Sequence, residues 1–154
     1  MISAPSRRLA VLLGVIAVLT ACGGAPISIP GAADVGDAGR VPVEGGGSYT
    51  DITPAQLDAT LGEDGFVLVN VHVPYEGEIE GTDAFVPYDQ ITAHLDRLPA
   101  DRSAPVVLYC RSGSMSAIAA RALVALGYVD VRNLDGGMNA WRSEGFPLIG
   151  LPPG

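Results

Sequence analysis

The segment that most constrains the fold is Val106-Val107-Leu108-Tyr109, followed at once by Cys110-Arg111-Ser112-Gly113-Ser114-Met115-Ser116 and then by an alanine-rich stretch to Leu126. The apolar run reads as a strand buried on both faces. The small polar run reads as a tight loop. Small side chains at Ala117, Ala119, Ala120 and Ala122 suit a helix lying close to a sheet, and the pattern predicts a helix over Ser116 to Leu126 ended by Gly127. A strand passing through a loop into a helix is half of a β-α-β unit, which implies parallel pairing. The same arrangement sets Cys110 at a strand end against a helix N-terminus. Unpaired N–H groups and the helix dipole there favour a thiolate over a thiol. A small buried cysteine is the other reading of such a residue; the polar loop favours the reactive one.

The alternation continues on both sides. Thr53-Pro54-Ala55-Gln56 combines an N-cap, a first-turn proline and a capping-box glutamine, and predicts a helix ending at Gly62. Phe66 to Val73 is a continuous β-rich apolar run and reads as another doubly buried strand. Ile79 to Tyr88 is irregular apart from a short extended piece, Ala84-Phe85-Val86. Asp89 to Leu98 reads as a short helix stopped by Pro99, Val129 to Asn133 as a strand, and Gly137 to Glu144 as a last helix followed by Gly145. Gly136-Gly137 marks a tight turn before that helix, and Trp141 reads as core. The expected fold class is α/β, with a parallel sheet of about five strands flanked by helices on both faces.

The chain has 154 residues, nine arginines, no lysine, 17 acidic residues and a formal net charge of −8, which bounds it to one modest domain plus extensions. Such a balance lacks the basic patch of a nucleic-acid binder and the attraction to an anionic membrane surface. Arg7 and Arg8 precede a twelve-residue apolar run, Leu9 to Thr20. As a helix that run spans roughly 18 Å against a hydrocarbon core of ~30 Å, so it reads as a signal peptide. Leu19-Thr20-Ala21-Cys22 resembles the lipobox of bacterial lipoproteins, in which cleavage leaves a lipidated cysteine at the new N-terminus. The expected organisation is a signal peptide over 1–21, lipidated Cys22 and a flexible Gly/Pro/Ala-rich tether over 22–48, and a folded domain over 49–150. The tether would reach roughly 28 Å, and the domain would sit on the extracytoplasmic face of a cell membrane. Lipidation of Cys22 leaves Cys110 without an intramolecular partner, because the chain has two cysteines. A lone thiol outside the cytoplasm is prone to oxidation and mixed disulfides, so its presence points to a reactivity in use.

From Tyr49 to Leu148 the residues resemble a single rhodanese domain. Three features carry the resemblance: the loop Cys110-Arg111-Ser112-Gly113 directly after Val-Leu-Tyr; Gly127-Tyr128, a strand, and the closing run Asn133-Leu134-Asp135-Gly136-Gly137-Met138-Asn139-Ala140-Trp141; and Leu68-Val69-Asn70-Val71-His72, where the family usually has an Asp-Val-Arg strand end. The resemblance implies a sulfurtransferase whose cysteine cycles through a persulfide. Cys110 would attack the outer sulfur of thiosulfate or a persulfide and pass it to cyanide, a thiol or sulfite. Each step is displacement at sulfur, governed by thiolate character and loop dipoles. Cys110 is then catalytic, and the loop of Arg111, Ser112, Gly113, Ser114, Met115 and Ser116 cradles the sulfur with backbone N–H groups. The hydroxyls of Ser112, Ser114 and Ser116 are candidate further donors. Arg111 either attracts an anionic donor or pairs with Glu76. No cofactor is expected. The expected partners are small sulfur donors, thiol acceptors and, through Cys22, the membrane; no protein partner is identified.

Two departures from the family pattern stand out. Met115 occupies a position where family loops commonly carry arginine, which removes a charge useful for thiosulfate. Asn70, His72 and Glu78 stand where the family usually has Asp, Arg and His. His72 is either a proton donor or substrate contact, or a strand-end histidine bonded to a carboxylate such as Glu76. His72, Glu76, Glu78 and Met115 match no specific metal-ligand spacing, so no metal is expected. The loop from Cys110 to Met115 has six residues; the related phosphatases use a longer loop closed by an arginine that clamps the phosphoryl group, and Ser116 stands where that arginine would be needed, which argues against a phosphatase. The competing functional reading keeps the fold but uses it as a non-catalytic module for thiol sensing or partner binding at the cell surface. Disulfide exchange is disfavoured because the domain has no second cysteine to resolve a mixed disulfide.

Overall fold

The computed structural model describes residues 39–151. The signal segment 1–21, Cys22 and the first part of the expected tether lie outside the described residues.

The capping signal at Thr53 is realised as read. Its hydroxyl accepts from Gln56 N at 3.2 Å and Gln56 Oε1 accepts from Thr53 N at 2.8 Å, starting helix α1 (Pro54–Asp58). Six strands form one sheet: β1 (Arg40–Pro42), β2 (Ser48–Ile52), β3 (Val67–Asn70), β4 (Ala84–Phe85), β5 (Val106–Tyr109) and β6 (Val131–Leu134), in the order β1-β2-β6-β5-β3-β4. Strands β2 to β6 pair in parallel, and β1 is antiparallel to β2. Helices α2 (Ser114–Ala125) and α3 (Gly137–Ser143) complete the layers.

All four residues of β5 are buried, and their side chains alternate between two cores. Val106 and Leu108 join Val69, Val71, Ala119, Ala120 and Leu123 beneath α2. Val107 and Tyr109 join Leu57, Leu68, Leu134, Met138 and Trp141 beneath α1 and α3. This is the central strand that an unbroken apolar run specifies. The Tyr109 hydroxyl accepts from Ile79 N at 3.1 Å and lies 2.6 Å from Thr82 Oγ1. Burial is the main cause that pushes this phenol up to about 12, so it stays protonated.

Three expectations are corrected. The tether does not run to residue 48: Arg40–Pro42 adds an edge strand beside β2, with Val43 N donating to Gly47 O at 3.1 Å across the turn. Val41 and Val43 pack against the core cluster, a short apolar alternation inside a Gly-rich stretch, and Pro42 is tolerated at an edge. The segment read as a helix over Asp89 to Leu98 is two 3-10 turns, Tyr88–Ala93 and Leu95–Arg97, separated at His94. The break falls at His94, whose φ of −120° and ψ of 41° leave the helical region. Helix α2 begins at Ser114, two residues before the expected start, because Gly113 at φ +87° serves as its N-cap.

Candidate active site

In a parallel sheet all strands deliver the chain to one edge, where the loops after them meet. Asn70 of β3 is in register with Tyr109 of β5, and Val71 N donates to Tyr109 O at 2.9 Å. The chain leaving β3 through Val71 and His72 therefore runs beside the chain leaving β5 through Cys110 and Arg111. Asn70 is fully buried and organises this turn: its Nδ2 donates to Gly77 O at 3.0 Å, and its Oδ1 accepts from His72 N at 3.0 Å.

Cys110 is 1% exposed, and its Sγ accepts from Gly113 N at 3.1 Å and lies 3.5 Å from Ser116 Oγ, whose one proton is shared between the sulfur and Gly113 O at 3.1 Å. Burial pushes the thiol up, but hydrogen bonds from the Ser116 hydroxyl and from the N–H groups of Ser116, Ser112 and Met115 outweigh it and hold the thiol below its ordinary value. Because α2 starts at Ser114, the first-turn N–H groups belong to the loop itself. Of the three serine hydroxyls considered as donors, Ser116 alone is bonded to sulfur; Ser112 Oγ turns to Ser114 Oγ at 3.4 Å, and both residues are exposed. Met115 is half-buried and packs against the cluster that contains Cys110.

The loop is held from the far side by α3. Met138 N donates to Cys110 O and Asn139 N to Arg111 O, each at 2.9 Å. Gly137 sits at φ +56°, directly against the carbonyls of Cys110 and Arg111. The adjacent glycines were legible as a turn. Their close approach to the cysteine loop was not, because it joins segments far apart in sequence.

Arg111 resolves toward its ion pair: Nη1 donates to Glu76 Oε1 and Oε2 at 3.1 and 3.2 Å. His72 is 5% exposed, and its Nε2 lies 3.1 Å from Glu76 Oε2, out of line for a hydrogen bond; neither ring nitrogen completes one. The histidine thus stands beside the carboxylate without the hydrogen bond expected of a strand-end pairing. Partial burial acts to raise the Glu76 carboxyl, but Arg111 and His72 together hold it below its ordinary value. Glu78 takes a backbone role, pairing N–H and C=O with Ile149 at 2.9 and 2.8 Å.

A pKa lowered in the folded state means thiolate reactivity rises as pH passes the lowered value, below the ~8.5 of free cysteine. The matching stability contribution is present above the unfolded pKa and lost as pH falls through the folded one. Ser116→Ala is expected to raise the midpoint of Cys110 alkylation by about one unit, since a hydrogen bond to a charged group contributes ~1.5 kcal/mol. Iodoacetamide rates against pH give the midpoint; no change in the variant would remove Ser116 from the account.

The model of the Rhodanese-like domain matches residues 53–144. A sulfurtransferase of Allochromatium vinosum is 39% identical over 87 residues, covering 54% of this chain and 78% of that protein. Thiosulfate sulfurtransferase GlpE of Pseudomonas fluorescens Pf-5 is 36% identical over 95 residues, covering 62% and 86%. Among solved structures, a rhodanese-like domain protein from Staphylococcus aureus superposes with a TM-score of 0.53 at 27% identity, covering 68% of this chain and 97% of that one. A cysteine loop between β5 and α2, braced by α3 on a six-stranded sheet, and a match spanning most of the described residues, agree on one conclusion: the chain belongs to the Rhodanese-like domain family.

Proposed function

We propose that the protein is a rhodanese-type sulfurtransferase or persulfide carrier, tethered by lipidated Cys22 on the extracytoplasmic face of a cell membrane. The observation that carries the chemistry is the Cys110 sulfur held by the Gly113 N–H at 3.1 Å and the Ser116 hydroxyl at 3.5 Å at the mouth of a parallel sheet. The curated relatives named sulfurtransferase support the same reaction class. The Cys110 thiolate attacks the outer sulfur of the donor. A new S–S bond forms as the donor's own bond to that sulfur breaks, and the leaving group departs with the electron pair. Attack by an acceptor nucleophile on the terminal sulfur then releases the Cys110 thiolate. Backbone N–H groups oriented before the reaction stabilise the anionic sulfur in both steps.

The test is intact mass of the full chain after incubation with thiosulfate and, separately, with a small persulfide. A gain of one sulfur atom, mapped to Cys110 and removed by an acceptor thiol, is expected. A Cys110 that alkylates but accepts no sulfur would favour the thiol-sensing module. The anchor rests on Arg7, Arg8, the apolar run to Thr20 and Leu19-Thr20-Ala21-Cys22. Cys22→Ala is expected to block processing and release the protein from membrane fractions; unchanged fractionation and mass would exclude the anchor.

A further inference from the structure

We propose that Glu76 and Met115 together withhold positive charge from the Cys110 loop, selecting an organic persulfide, R–S–S–H, over dianionic thiosulfate as the sulfur donor. This rests on the sulfurtransferase reading and narrows it. The loop from Cys110 to Ser116 carries one cation, Arg111. Its Nη1 is bonded to both oxygens of Glu76, at 3.1 and 3.2 Å, so the charge is already paired before any donor arrives. Met115, in the first turn of α2, contributes an apolar thioether instead of a second charge. It packs with Tyr88 against the cluster that holds Cys110, Val71 and Val86. The thiol is therefore met by backbone N–H dipoles, the Ser116 hydroxyl and an apolar cluster, with no second cation in the loop.

The two donors make different demands on that environment. Thiosulfate brings a double negative charge and leaves one behind: Cys110–S⁻ and S–SO₃²⁻ give Cys110–S–S⁻ and SO₃²⁻. A dianion stripped of water needs a cation or several charge-assisted bonds. An organic persulfide reacts through its uncharged form: Cys110–S⁻ and R–S–S–H give Cys110–S–S–H and R–S⁻, which takes a proton from water. Such a donor asks for no second cation at the loop. Glu76 acts through Arg111 and is a positioning residue, whereas Met115 lines the loop directly.

The two donors can be set against each other with the full chain, using thiosulfate and the persulfide of 2-mercaptoethanol at matched concentrations. The rate of Cys110 persulfide formation is read by intact mass. Wild type is expected to load faster from the persulfide. Met115→Arg and Glu76→Gln are each expected to raise the thiosulfate-to-persulfide rate ratio about ten-fold, by tightening apparent thiosulfate affinity through one charge-assisted bond. Glu76→Asp, which keeps the charge, is expected to hold the wild-type ratio. A purely structural Glu76 would slow both donors alike and leave the ratio unchanged. Thiosulfate preference in wild type, or an unchanged ratio in both charge variants, overturns the donor assignment alone. Loading from neither donor overturns the sulfurtransferase reading and this inference with it.

Discussion

Cys110→Ser is expected to lower sulfur loading from any donor by on the order of 10⁴-fold or more, the scale seen when a nucleophile is removed from a preorganised site. Serine reproduces the shape and keeps an acceptor for Gly113 N and Ser116 Oγ, which lie 3.1 and 3.5 Å from the present sulfur. A hydroxyl is not ionised near neutral pH and is a poor nucleophile toward sulfur, so the loop would hold the wrong atom in the right place. The structural consequence is expected to be small, about 1 kcal/mol in denaturant unfolding, because the slightly smaller hydroxyl can still accept from the same two donors. The pairing of lost loading with a retained fold separates chemistry from architecture. Full loading in the serine variant would place the accepting nucleophile elsewhere.

Gly137→Ala is expected to destabilise the fold far more than a methyl added at an open glycine. The added Cβ would overlap Cys110 O and lie 2.8 and 2.9 Å from the carbonyl carbon and oxygen of Arg111. These are backbone atoms and cannot swing aside. The left-handed φ of +56° adds its own strain of roughly 1–2 kcal/mol for a residue with a Cβ. Relief would require α3 to withdraw, breaking the bonds from Met138 N and Asn139 N to the Cys110 and Arg111 carbonyls. The total is expected to reach about 3 kcal/mol or more, with sulfur loading falling in parallel as the loop loses its brace. Gly145→Ala is the control: it shares a positive φ, +91°, but a Cβ there meets nothing within 4 Å. It is expected to cost roughly 1 kcal/mol and to leave the loop intact. Equal losses at the two positions, measured by denaturant titration, would mean that conformation rather than contact with the loop sets the cost.

The sequence by itself determined the parts whose causes are local. Val106–Tyr109 could be read as a central strand because alternating contributions to two cores require apolar side chains at every position. The Thr53 capping box specified a helix start within one turn, and the strand-to-helix passage around Cys110 specified both parallel topology and an activated thiol. The tertiary structure decided the rest, because the causes lie across the fold. Edge strand β1 exists through pairing with β2 and through Val41 and Val43 packed on the core; two valines in a Gly-rich stretch make a strand only where the fold supplies both the partner and the core. Gly137 became a brace when α3 met the Cys110 loop. Arg111 had two open roles in the chain; a carboxylate 35 residues earlier, delivered to the same sheet edge by the parallel register of β3 and β5, took its charge. A residue's chemistry can be read one position at a time, but whether its charge is available depends on what the fold sets beside it.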